Sequence, residues 1–285
     1  METWLFIVQI KAICLKNDII KLKVGESMIV RNKEIIKLSK IRNSFYEDLK
    51  IEFLYHSNHI EGSTFSKDNL AKLLYEKKVQ GTHFYDDVIE TRNSLDVFDK
   101  VIESIDEELN KFLLFDWHRT LKKGTVDEEI QNTGRWKLYE NRLKNVDLKV
   151  ALPHEVDSMM FNLVMNWNET ENKTLMDVAQ FHAEFELIHP FQDGNGRIGR
   201  FIILKQCINS GIDLIAIDKI YEAEYKEALY HAQVSKDYEP LANVFKKCQD
   251  RLDEKMLPYK NLIETIHQEF VETEEIEKEE EMEIC

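Results

Sequence analysis

The chain has 285 residues, 43% of them hydrophobic, and a formal net charge of −15 at pH 7. That length suits one large domain or a domain with appendages, and the apolar share supports a real core. The acidic balance argues against non-specific nucleic-acid binding, and no apolar run is long enough to span a bilayer. The four cysteines, Cys14, Cys207, Cys248 and Cys285, have neither close pairing nor metal-ligand spacing, which suits free thiols in a reducing cytosol.

Residues 1–32 read as an N-terminal extension. Its apolar run at 4–10 is short, with no basic residues before it and no clear cleavage site. It reads as a strand or short helix packed on the domain; the alternative is that Met28 is the start. Residues 33–60 read as one helix, with Ile36, Ile41, Phe45, Leu49, Phe53 and Leu54 on an approximate apolar face and Gly62 at its end. Ser66 caps the next helix, with Leu70, Leu73 and Leu74 inward and Gly81 closing it. Residues 86–105 and 112–121 follow as helices. Leu113, Leu114, Trp117 and Leu121 form the core face of the second, and its His118 reads as structural. The stretch 124–134 is polar and loop-like. Val146, Leu148, Val150 and Leu152 then alternate with polar residues, the period of a strand.

Pro153 suits the first turn of a helix whose core face is Val156, Met159, Met160, Leu163 and Val164. Residues 174–188 form another helix, in which His182 reads as a core or capping residue. A further helix runs to about Ser210 and ends at Gly211. The last helices carry Tyr221, Tyr225, Leu229, Leu241, Val244 and Phe245. The acidic run 272–283 reads as a solvated, flexible tail. Domain boundaries are expected at 33–255 for the core and 256–285 for a C-terminal helix and tail.

Between the helix over 174–188 and the one that ends at Gly211 lies the stretch His189-Pro190-Phe191-Gln192-Asp193-Gly194-Asn195-Gly196-Arg197-Ile198-Gly199-Arg200. Pro190 forces His189 out of the α region and ends the first helix. Gly194, Asn195 and Gly196 make a turn into the second helix, whose free N–H groups form an anion site. Arg197 and Arg200, three apart, share one side of its first turn. One imidazole, one carboxylate and two guanidiniums around such a turn are equipment for gripping a polyphosphate with a metal ion.

This stretch resembles the signature of Fic domain proteins, His-Pro-Phe-x-Asp-Gly-Asn-Gly-Arg-x-x-Arg, with every position filled, and weaker similarity runs from about 40 to 250. The resemblance implies a mostly α fold, a Fic-type helical bundle with a small β-hairpin flap. It implies transfer of AMP from ATP to a Ser, Thr or Tyr hydroxyl of a protein, with release of pyrophosphate. By the same resemblance His189 is the general base and Asp193 holds Mg2+. The backbone of Gly194, Asn195 and Gly196 binds phosphate, Arg197 the β-phosphate and Arg200 the γ-phosphate. Phe191 is an apolar anchor. Ser57-Asn58-His59-Ile60-Glu61-Gly62 matches the family's inhibitory pattern, (Ser/Thr)-x-x-x-Glu-(Gly/Asn). That implies an inhibitory helix over about 44–62, in which Glu61 pairs with Arg200.

The flap falls at about 137–150 and would bind the target protein by strand-like pairing. The family's Gly-x-aromatic-Arg before it reads Gly134-Arg135-Trp136-Lys137 here. Tyr225 and Leu229 fall near the adenine pocket. A cytoplasmic protein follows, with no nucleic-acid or membrane partner, and a homodimer is suggested by resemblance alone. Related kinases carry Lys where Gly196 stands, which favours AMP transfer over γ-phosphoryl transfer. Use of another nucleotide, removal of AMP, and non-catalytic nucleotide binding remain alternatives.

Overall fold

The structure, a computed structural model, describes residues 29–141 and 148–284. Among the described residues the regular structure is helical and no strand forms. The stretch expected as one helix over 33–60 is two, α1 (Asn32–Leu38) and α2 (Phe45–Ile60). Between them Asn43 takes a φ of 52°, a left-handed conformation that Asn tolerates, and extended Ser44 starts α2. The mixed apolar spacing across 33–60 is what two differently oriented helices leave in one stripe.

Helix α3 (Lys67–Glu76) begins as expected at Ser66, whose hydroxyl accepts from the Asn69 N–H at 3.2 Å. It ends at left-handed Lys77, not at Gly81, which lies in the loop beyond. Helix α4 spans Tyr85–Glu103. Helix α5 (Lys111–Leu121) is capped by the Asn110 side chain, which accepts from the N–H groups of Phe112 and Leu113. The polar stretch after it holds one short helix, α6 (Val126–Glu129).

Helix α7 (Val156–Glu169) starts after Pro153 and not on it. It buries Val156, Met160, Leu163 and Trp167 and leaves Met159 out. Of the alternating run expected as a strand, Leu148, Val150 and Leu152 are in no strand. Val146 and much of the expected hairpin lie outside the described residues. An extended segment needs an edge to pair with, and none is supplied among the described residues.

Helix α8 (Leu175–Ile188) starts at a capping box. The Thr174 N–H and hydroxyl both donate to the Asp177 carboxylate, at 2.7 and 2.6 Å. Helix α9 (Asn195–Ser210) is the centre of the domain. Ile198, Phe201, Ile202, Ile203, Leu204, Cys207 and Ile208 are all buried; a helix apolar on every side belongs inside. Helices α2, α4, α5 and α8 pack around it. Phe201 meets Phe53 of α2 with ring centroids 5.4 Å apart, and Phe53 meets Phe98 of α4 at 5.7 Å. Each such aromatic pair is worth about 0.5–1.5 kcal/mol beyond its buried area.

Helices α10 (Glu222–Ser235) and α11 (Glu239–Met256) cover α8. Helix α12 (Lys260–Ile284) returns to α1, where His267 meets the buried Glu34 carboxylate at 2.6 Å. The acidic run expected as a flexible tail continues α12 to Ile284. Its first turns are docked through Ile263 and Ile266, which supplies the nucleus that helix growth needs, and Glu is a strong helix former. No helix among the described residues is long and apolar enough to cross a membrane.

The capping box on α8 sets where the helix that ends in His189 begins. Thr174→Ala removes the hydroxyl's bonds to the Asp177 carboxylate and N–H and keeps the one from the backbone N–H. It is expected to cost about 1 kcal/mol, lowering the thermal midpoint by about 2–4 °C in a circular-dichroism melt.

Candidate active site

Helix α8 stops at His189, whose φ of 52° and ψ of 61° are left-handed while its N–H still donates to Phe185 O at 2.9 Å. Pro190 denies His189 the helical conformation. Phe191 then turns inward, fully buried, and stacks on the His118 ring with centroids 4.1 Å apart and planes 5° from parallel. The Asn195 side chain closes the loop: its Oδ1 accepts from the Phe191 N–H at 2.7 Å and its Nδ2 donates to Phe191 O at 2.9 Å. Gly194 has a φ of 82° and α9 begins at once. The N–H groups of Asn195, Gly196 and Arg197 are those of a first helical turn, with no intrahelical acceptor.

His118 is structural, as expected, and it braces the loop as well. Its Nδ1 accepts from the Gly134 N–H at 3.0 Å, so its Nε2 donates to Asp193 O at 3.0 Å. Burial pushes this imidazole down to about 4, so it stays neutral. The segment after Gly134 lies along the motif. The Lys137 N–H donates to Pro190 O at 2.8 Å, Asn141 Nδ2 to Phe191 O at 3.0 Å, and the Tyr139 N–H to Gln192 Oε1 at 3.3 Å. Lys137, which replaces the family's Arg, is buried with Nζ on Asn141 Oδ1 and Ile188 O.

The two motif arginines are buried and both are held by carboxylates. Arg200 donates from Nε to Ser57 Oγ at 2.9 Å and from Nη2 to Ser57 O at 3.0 Å and Glu61 Oε1 at 2.6 Å. Ser57, Glu61 and Arg200 are thus brought together as the sequence pattern led us to expect. Gly62, with a φ of 91°, lets the chain leave α2 directly after Glu61. Burial alone would raise the Glu61 carboxyl; Arg200, then Arg197, hold it below its ordinary value instead. A Cβ at Gly196 would overlap the Glu61 carboxylate, so that glycine makes the approach possible. Arg197 donates from Nη1 to Glu90 Oε2 at 2.5 Å. Burial would likewise raise Asp193, but the Lys122 ammonium against it and Arg197 nearby hold it at about 2.

His189 is neutral at pH 7: burial, then repulsion from Lys137, push its imidazole down to about 4. Its buried Nδ1 has no hydrogen-bond partner. Tyr225 is buried and its hydroxyl meets His182 Nε2 at 2.7 Å, which gives His182 its core role, and Leu229 is half-buried against the core. Sequence reasoning missed four residues here. Glu90 of α4 and Lys122 at the end of α5 hold Arg197 and Asp193. Asp127 of α6 meets Lys122 at 3.0 Å. Glu186 of α8 is buried beside Gly199, and burial pushes its carboxyl up to about 8. A faint signal existed for Glu90, which lies at helical spacing before the inward residues Ser94, Val97 and Val101.

The geometry defines a class: an α-helical domain whose buried central helix opens on a glycine turn with two carboxylate-held arginines. Residues 108–207 match the Fic/DOC family, so this part of the chain carries a Fic/DOC domain. It is 33% identical over 85 residues to a protein of Aquifex aeolicus named "Probable protein adenylyltransferase aq_aa38", covering 28% of this chain and 25% of that one. It is 26% identical over 211 residues to "Protein adenylyltransferase Fic" of Culex quinquefasciatus, covering 70% and 40%. The matches thus span a quarter to two-fifths of these curated relatives. Among solved structures, a Fic domain containing signaling protein from Bacteroides thetaiotaomicron superimposes with a TM-score of 0.59 at 22% identity, covering 83% of this chain and 94% of that one. A fragment of Caenorhabditis elegans Fic-1 gives 0.62 at 20% identity, covering 81% and 70%. These likenesses establish the mostly α Fic fold.

The Glu61–Arg200 pair has a pH signature. A carboxyl held below its ordinary value of 4.5 adds stability above that value, and the addition is lost as pH falls through the depressed one. The side chain is 36% exposed, so water screens the pair and about 1 kcal/mol is expected. Glu61→Gln should therefore lower the melting temperature at pH 7, and the difference from wild type should shrink as pH falls below 4.5 and vanish once the depressed value is passed. A pH-independent difference would show that the charge is not what the contact uses.

Proposed function

We propose that the chain is a protein adenylyltransferase that holds itself off through Glu61. The observation that carries this reading is the juxtaposition at one helix start of a neutral, half-buried imidazole, a glycine turn with open N–H groups, an exposed carboxylate and two guanidiniums. ATP on the turn would have its phosphates on the N–H groups of residues 194–196, with Arg197 and Arg200 as counter-charges. Such clamps supply much of the catalysis in phosphate transfer. A hydroxyl of a target protein forms a bond to the α-phosphorus, the bond from that phosphorus to the β-phosphate oxygen breaks, and pyrophosphate leaves. The hydroxyl proton goes to His189, which is available as a base because it is neutral.

Asp193 fits a divalent cation. Its side chain is 61% exposed beside the turn, and Mg2+ favours one or two carboxylates with phosphate oxygens. When bound, Mg2+ would offset negative charge on the phosphates. Gly196 leaves the backbone open where related kinases carry Lys, which favours AMP over γ-phosphoryl transfer. The target would dock along residues 137–150, of which Lys137, Tyr139 and Asn141 lie along the motif. Tyr225 and Leu229 are assigned to the adenine side by resemblance.

Autoinhibition rests on Arg200. Its guanidinium is spent on Ser57 and Glu61, and a γ-phosphate needs the same fork. With that phosphate displaced, the α-phosphorus is mis-set, and a small misplacement costs roughly 10²-fold. Glu61→Gly should raise the initial rate of label transfer from α-labelled ATP by about that factor. His189→Ala in the same background should abolish transfer while ATP binding, followed by calorimetry, survives. Equal rates for wild type and Glu61→Gly would remove the autoinhibition. Transfer of γ-label would indicate a kinase, and binding without any transfer a regulatory module.

A further inference from the structure

Beside the motif, the Lys122 ammonium sits among three carboxylates. It donates to Glu90 Oε1 at 2.5 Å, lies 3.0 Å from Asp127 Oδ2 and contacts Asp193 Oδ2. One oxygen from each of these acids lies within 4.8 Å of the others, the spread of a divalent-cation cup. The Lys122 side chain is 2% exposed. The second Glu90 oxygen is taken by Arg197 Nη1 at 2.5 Å, and Arg197 Nη2 lies 3.8 Å from Asp193 Oδ2. Three carboxylates from α4, α6 and the motif loop, with two cations, leave the cluster with one net negative charge.

We propose that Lys122 is a resident cation: it fills a three-carboxylate cup that would otherwise collect a divalent metal, and it anchors Asp193 by one oxygen. Three acids this close cannot all ionise without a counter-charge. An ammonium supplies a single charge on a covalent tether, so the acids stay ionised and no free metal is needed to hold them together. Lys122 and Arg197 both engage Oδ2 of Asp193, which leaves the exposed side of that carboxylate for a cation that arrives already bound to phosphate. The chain is thereby built to take its metal with nucleotide and to ignore metal alone. Lys122 is a positioning residue in this role, acting through Asp193 and Glu90.

The inference rests on reading Asp193 as the ligand of a nucleotide-borne cation, but its test needs no transfer, so the two readings fail separately. Nucleotide-free protein at pH 7.5 is titrated with Mn2+, and free Mn2+ is followed by electron paramagnetic resonance. Wild type should bind weakly, at or above about 1 mM. Lys122→Met should bind at least about tenfold more tightly, and adding Asp127→Asn to it should reverse the gain. Lys122→Arg keeps the charge and should stay as weak as wild type. A merely structural lysine would not move metal affinity in this pattern. Tight Mn2+ binding by wild type overturns the proposal whether or not the variants fold. Folded Lys122→Met with unchanged Mn2+ affinity overturns it as well, because the acids would then have taken protons instead. Should Lys122→Met not fold, Lys122→Gln takes its place under the same criteria.

Discussion

A buried guanidinium must have an anion. Arg197 and Arg200 are each almost fully buried, because the helix that carries them is the centre of the core, and removing a charge from water costs several kcal/mol unless it is paired. No carboxylate within their own helical turn can reach both forks. The nearest, Asp193, is 3.8 Å from Arg197 and held by Lys122. The counter-anions therefore come from neighbouring helices: Glu61 from the end of α2 and Glu90 from α4. Much of the arrangement follows from this. Helices α2 and α4 must lie against α9, and the Phe53–Phe98–Phe201 cluster holds them there. Gly196 must lack a side chain for Glu61 to arrive.

The same constraint explains the loop between α8 and α9. It has to place a carboxylate and a turn of open N–H groups beside two cations without letting the loop collapse onto them. Phe191 and His118 do the anchoring by stacking. Asn195 spends its amide on Phe191, and His118 holds Asp193 by its carbonyl, so the carboxylate of Asp193 stays outward. These contacts hold the loop in shape before any ligand arrives, which lowers the ordering cost of binding an anion there.

The helices that bury a stripe were legible in the sequence, and so was the motif, because both are local. Ser66, Thr174, Pro190, Gly194 and Gly211 mark boundaries by backbone chemistry that does not depend on the rest of the fold. The Ser57–Glu61 pattern was legible only beside the complete motif. What could not be read was set by packing between distant segments. Nothing local distinguishes Lys122 from Lys123, yet one is buried against three acids and the other is exposed. The break at Asn43 was hidden because apolar residues continue on both sides of it. The expected strand failed for a related reason: alternation describes a stretch fit to pair, and pairing needs an edge that the stretch itself does not contain.

The two arginine contacts differ in how readily they can be released. Glu61 caps the C-terminal end of its helix, followed by Gly62 at a positive φ with nothing within 4 Å of where a Cβ would stand. Its side chain is 36% exposed, so it can swing into water without moving α2. Glu90 is in the body of α4, its side chain is 18% exposed, and its two oxygens are shared between Arg197 and Lys122. Removing it would uncover two buried cations at once, which costs far more than freeing one partly solvated carboxylate. An incoming polyphosphate competing for these guanidiniums would therefore displace the Glu61 contact first, while Glu90 holds Arg197 in place. The contact more readily released is the one at a helix end beside a glycine, and the one held more firmly is the one in mid-helix.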